Sequence, residues 1–204
     1  MPGLFEMRTF KSAKYLTMKF LLIVVSVLIT FFNSNAQVYG AKEYSKEIAL
    51  YKAKQFVIED VLGISGEVIG FQIDPLAAAS SGELTSLVYK CQDKNKDGLV
   101  FGFYGDYWNK SGVSYKAYSF KDIPTARALI LLDTLQKTMD NYTNFLNQDH
   151  DYNNLYFNAE GMTFLIYNSG GIKIRVFWND FDSEWDIVAF RRTKRRLLSK
   201  LNDE

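Results

Sequence analysis

MTFLIYNSGGIKIRVFW, residues 162–178, sets two apolar-rich runs on either side of Asn168-Ser169-Gly170-Gly171, and the second alternates apolar and basic positions over Ile172–Val176. Only a strand sends successive side chains to opposite faces, so this stretch predicts an antiparallel hairpin with a glycine turn. Ile172, Ile174, Val176 and Trp178 should share one face, and Lys173 and Arg175 the other. A hairpin with one apolar face needs more strands and a covering layer to be stable.

Both appear in the flanking sequence. Downstream, Glu184–Ala189 reads as the next strand and FRRTKRRLLSKL as a C-terminal helix with Phe190, Leu197, Leu198 and Leu201 inward. Upstream, Leu155–Asn158 reads as a short strand, preceded by the polar loop NQDHDYNN, 147–154. Before that loop lies the clearest helix. Ala128, Leu131, Leu132, Leu135, Met139, Tyr142 and Leu146 recur at steps of three and four, the spacing of one helical face. Asp122 is the expected N-cap, with Pro124 in the first turn.

A meander is expected before it. Val68–Ile73 is a strand broken by Asp74-Pro75, then LAAASSGE makes a loop or short helix. Leu84–Cys91, Leu99–Tyr104 and Val113–Phe120 are three aromatic-rich strands joined through DKNKDG, 93–98, and NKSG, 109–112. Residues 43–62 should form a first helix ending at Gly63, with Ile48, Tyr51, Ile58 and Leu62 near one face. Helix plus meander thus occurs twice. The class is α+β: antiparallel β-meander sheets with a long central helix and N- and C-terminal helices packed on them.

The first 36 residues are expected to stand outside this fold. Lys19 is followed by the apolar run Phe20–Phe32, then by Ser34 and Ala36 at positions that suit a signal peptidase. A bilayer span needs about 20 apolar residues, more than this run supplies. The expected organisation is therefore an upstream extension and signal peptide over 1–36, with the start at Met18 and cleavage after Ala36. A single α+β domain follows over 37–204. The protein should be exported, to the periplasm or beyond the cell. Removing residues 1–36 leaves 20 basic against 22 acidic side chains, a net −2. That balance offers no global basic field for nucleic acid. Cys91 is the only cysteine, so no internal disulfide is expected. It reads as a small buried hydrophobe.

One histidine excludes a metal site of two or three histidines within one chain. His150 lies between Asp149 and Asp151 and reads as a solvated loop residue, or as a general base if a partner converges on it. DKNKDG opens like a calcium loop, with Asp93, Asn95 and Asp97 as oxygen ligands. The twelfth position is Tyr104, which cannot supply the closing carboxylate. A hairpin turn explains the same letters, with Asp97-Gly98 supplying the positive φ. Asp180, Asp182, Glu184 and Asp186 alternate in NDFDSEWD and are the catalytic candidates, because paired carboxylates can cleave glycosides. Tyr107, Trp108, Trp178 and Trp185 could form a ligand platform. Arg191, Arg192, Arg195 and Arg196 crowd the last helix and could meet an anionic surface. The leading expectation is a non-catalytic exported protein binding a partner or small ligand at the cell envelope, with no cofactor unless calcium occupies Asp93, Asn95 and Asp97. The alternative is a carboxylate-dependent hydrolase acting on an extracellular polymer.

Overall fold

A computed structural model of the chain describes residues 39–40, 46–63, 66–108, 111, 114–148 and 152–202. The expected signal segment and His150 lie outside them. Residues Ala36–Glu204 form one compact unit.

The described residues form nine strands and four α-helices. Strands β1 (Tyr39–Gly40), β2 (Gln72–Ala78), β3 (Leu84–Cys91), β4 (Lys96–Trp108) and β5 (Ser114–Pro124) make one antiparallel sheet in the order β1-β5-β4-β3-β2. Strands β6 (Asn154–Ala159), β7 (Met162–Asn168), β8 (Ile172–Trp178) and β9 (Phe181–Asp186) make a second, in sequence order. The helices are α1 (Lys46–Phe56), α2 (Thr125–Asn141), α3 (Thr143–Gln148) and α4 (Ile187–Asn202). The α+β class is as expected, and the hairpin at 162–178 pairs Ile166 with Ile174 and Phe164 with Val176.

Alternation along β3, β4 and β5 buries both faces of the first sheet. Leu84, Leu99, Phe101, Phe103 and Ile123 face one core, shared with α2, α4 and the second sheet. Leu87, Tyr89, Val100, Tyr104, Tyr118 and Phe120 face a smaller core under α1. Within the larger core Trp185 meets Phe101 and Phe190 edge-on, at ring separations of 5.1 and 5.2 Å. The Ser86 and Thr193 hydroxyls bond at 2.6 Å and satisfy each other where α4 crosses β3. Cys91 is buried and unbridged.

Five expectations are corrected here. The first helix turns π-helical over Val57–Leu62 and buries Ala53 and Val57, leaving Tyr51 and Ile58 exposed. The wider turn rotates the apolar stripe away from a 3.6-residue register. β2 runs through Asp74-Pro75 instead of ending there. Pro75 is tolerated because β2 is an edge strand with a bulge between Pro75 and Ala77. Asp122 does not cap α2: Pro124 stands at the N-cap, and Asp122 lies in β5. Tyr142 is exposed at the break between α2 and α3. The last strand ends at Asp186, and α4 starts three residues sooner than Phe190.

The DKNKDG turn is also built differently. Cys91 pairs with Lys96, and Asn95 carries the positive φ of 48°. Gly98 sits within β4 opposite Tyr89. A Cβ at Gly98 would lie 2.7 Å from both Asp122 Oδ1 and the Tyr89 ring. Gly98 is therefore needed for a close side-chain approach, not for a turn.

Candidate functional site

Helix α4 supplies the most distinctive chemistry on the described surface. Asp186 ends β9 and caps the helix, accepting the Ala189 N–H at 2.9 Å and the Ser80 N–H at 2.7 Å. Burial would raise the Asp186 carboxyl, but these N–H donors outweigh it and hold the group below the usual carboxylate range. Ala189, Phe190, Thr193 and Leu197 are buried. The remaining face turns outward.

Six cations lie on this helix, and three are committed to the fold. Lys194 pairs with Asp133 of α2 at 2.7 Å. Lys200 pairs with Asp74 of β2 at 2.9 Å. Arg196 donates through Nη1 to the Leu76 carbonyl at 2.6 Å. Arg191, Arg192 and Arg195 are exposed and have no carboxylate or carbonyl partner among the described residues. They converge with Val188 on an open groove of about 520 Å³. Arg191 and Arg195 also line a neighbouring groove of about 670 Å³ with Gln136 of α2 and Leu198. Val188, Arg191, Arg195 and Leu198 follow steps of three, four and three, so they share one face. Val188 is 58% and Leu198 40% exposed, giving the cationic face two aliphatic contacts.

The four arginines thus divide: three form the surface and Arg196 does not. Val188 was expected in a strand because the helix starts earlier than its sequence suggested, and Leu198, expected inward, is instead exposed on this face. The missed signal is Asp186 itself, an N-cap residue three positions before Ala189.

The acidic row is tied up locally. Asn179 and Asp180 form the β8–β9 turn with φ of 53° and 65°. Asp182 pairs with Arg175 at 2.7 Å and Glu184 with Lys173 at 3.1 Å. The Glu184 N–H donates to Glu83 Oε2 at 2.7 Å, which occupies the edge of β9. Asp186 is the cap described above. These are structural partners for three of the four carboxylates, and Asp180 is exposed at the turn.

The aromatic candidates separate as well. Trp185 is 1% exposed and is core, which corrects its expected place on a ligand platform. Trp178 is half-buried against Phe103, with centroids 4.9 Å apart and Lys121 Nζ 5.5 Å from its ring. Tyr107 and Trp108 end β4, with side chains outside those described. Asp93 accepts the Gly70 N–H at 2.9 Å, Asn95 forms the turn, and Asp97 pairs with Lys90 in the β3–β4 ladder. Among the described residues no group of three or more His, Cys, Asp or Glu side chains is placed to hold a metal ion. No described helix is long and apolar enough to cross a membrane.

No family model matches the chain, and neither a curated protein nor a solved structure matches it.

Proposed function

We propose that the protein is exported, to the periplasm or beyond the cell, and works there without catalysis by holding an anionic lipid surface against the arginine face of α4. One observation carries this reading: Arg191, Arg192 and Arg195 stand exposed around one groove, while the other three cations of the helix are used internally. Unpaired guanidiniums bind phosphates well, because their planar forks match the oxygen geometry. Each adds about 1 kcal/mol near an anionic membrane, so three give a useful but reversible attachment. Val188 and Leu198 add short apolar contacts at the headgroup level.

The hydrolase reading gains no comparable support. Glycoside cleavage needs two carboxylates facing one bond, one held protonated. Asp182 and Glu184 instead meet Arg175 and Lys173, and Asp186 accepts two backbone N–H groups.

Sedimentation of the protein with vesicles tests the proposal. Binding is expected to vesicles containing phosphatidylglycerol and not to phosphatidylcholine alone. Equal binding to both, or to neither, contradicts it. Export is tested separately by sequencing the N-terminus of the protein recovered outside the cytoplasm, which should begin at Gln37.

A further inference from the structure

Four strands lie at sheet edges: β1, β2, β6 and β9. An edge strand presents unpaired N–H and C=O groups, and folds commonly protect them. Three of the four are protected here. β1 is two residues long. β2 carries Pro75 and a bulge, and Arg196 of α4 donates to its Leu76 carbonyl. On β9 the Glu83 carboxylate accepts the Glu184 N–H. β6 has none of these devices. Its sequence NLYFNA holds no proline and no charge, and it pairs with β7 in unbroken register from Asn154 to Ala159. Among the described residues nothing bonds to the backbone of its outer edge.

The β6–β7 turn is Glu160-Gly161, with φ of 56° and 71°. In such a two-residue hairpin the flanking pair, here Ala159 and Met162, exchanges both hydrogen bonds, and every second pair does the same. Leu155, Phe157 and Ala159 therefore turn their backbone groups to β7. Asn154, Tyr156 and Asn158 turn theirs outward. These outward positions are symmetric about Tyr156, which is 75% exposed. The side chains follow the same symmetry. Asn154 and Asn158 flank Tyr156 on one face. On the other, Leu155 and Phe157 are half-buried against the larger core, with Phe157 stacked on Phe164 at 5.2 Å.

We infer that β6 pairs antiparallel with β6 of a second copy of the chain, joining two four-stranded sheets into one continuous sheet. The two-fold axis passes beside Tyr156. Tyr156 exchanges both backbone hydrogen bonds with its own counterpart, Asn154 lies opposite Asn158, and Leu155 opposite Phe157. Amide thus meets amide and apolar meets apolar, the self-complementarity a two-fold interface requires. The strand has no charge to repel its copy and none to select a charged peptide. One strand pair is a small interface, so the dimer is weak and reversible. It uses no residue of the arginine face and stands apart from the lipid reading.

Disulfide trapping on the full chain tests it, because Cys91 is the only native cysteine and is buried. Paired Cα atoms at the axis lie about 5.5 Å apart, within disulfide reach. Tyr156→Cys should form a covalent dimer on mild oxidation. Asn154→Cys and Asn158→Cys should not do so alone, since like positions sit about 14 Å apart, but should cross-link when mixed. Sedimentation equilibrium of the parent should show a monomer–dimer equilibrium. Tyr156→Lys puts like charges together at the axis and should weaken association at least about 10-fold with a similar Tm. Tyr156→Cys that stays monomeric, or that traps no better than Asn154→Cys alone, overturns the inference. So does Tyr156→Cys captured in cells by another protein and not by itself. A parent that stays monomeric into the millimolar range, or whose dimer Tyr156→Lys leaves at full strength, overturns it as well.

Discussion

Asp122 and Asp186 show how one residue type is placed in opposite circumstances. Burial is the main influence on Asp122 and raises its carboxyl above the usual range, against the Tyr89 hydroxyl and the charges of Lys96 and Lys121. Its folded form therefore holds a proton more tightly than the unfolded chain does. That contribution to stability is present below about pH 4 and declines as pH rises through the folded value. Asp122→Asn should remove this decline. Its Tm relative to the parent should be higher at pH 7 than at pH 3.5, and melting curves at the two values check it. Asp186 behaves with the reverse sign. Its lowered carboxyl stabilises the fold above about pH 4 and stops doing so as pH falls through the folded value. Asp186→Ala should cost about 1–2 kcal/mol at pH 7, as lost caps do, and much less at pH 2.5 by urea unfolding. Gly98→Ala should cost about 1–3 kcal/mol, because its Cβ would strike Asp122 and the Tyr89 ring. The roles of Asp122 and Gly98 were not readable from the residues alone, whereas Asp186 carried the letter of an N-cap. Asp97-Gly98 has the letters of a turn, and only the register with Tyr89 gives Gly98 its task.

Elements were legible where one period ran without interruption. The stripe on α2 buries Ala128, Leu131, Leu132, Leu135 and Met139 as its spacing implied. The β3 limits, Leu84 and Cys91, coincide with the expected strand. Legibility failed where the period changed inside an element. The π-helical turn after α1 moved the buried face to Ala53 and Val57, and the bulge in β2 let Pro75 lie within a strand. At the β9–α4 junction, strand alternation continues through Trp185, so the helix start was hidden until Asp186 was seen as its cap. That junction also puts Trp185 between Phe101 and Phe190. Trp185→Ala should therefore destabilise by about 3–5 kcal/mol in a denaturant titration, a core loss and not a surface one.

At the scale of the molecule, the sequence indicated the α+β class and a basic last helix, but not which cations were already engaged. Pairing of that kind depends on distant elements: Asp133 on α2 for Lys194, Asp74 on β2 for Lys200, and the Leu76 carbonyl for Arg196. No local spacing shows it. Three arginines, Arg191, Arg192 and Arg195, are left over for the proposed lipid surface. The most direct test compares vesicle binding of the parent with that of Arg191→Glu/Arg192→Glu/Arg195→Glu, on membranes containing phosphatidylglycerol and across a salt series. Under this proposal the parent loses affinity steeply as salt rises, and the triple variant folds with a similar Tm but binds at least about 100-fold more weakly, as loss of about 1 kcal/mol per cation requires. Binding by the triple variant at parental affinity would contradict it.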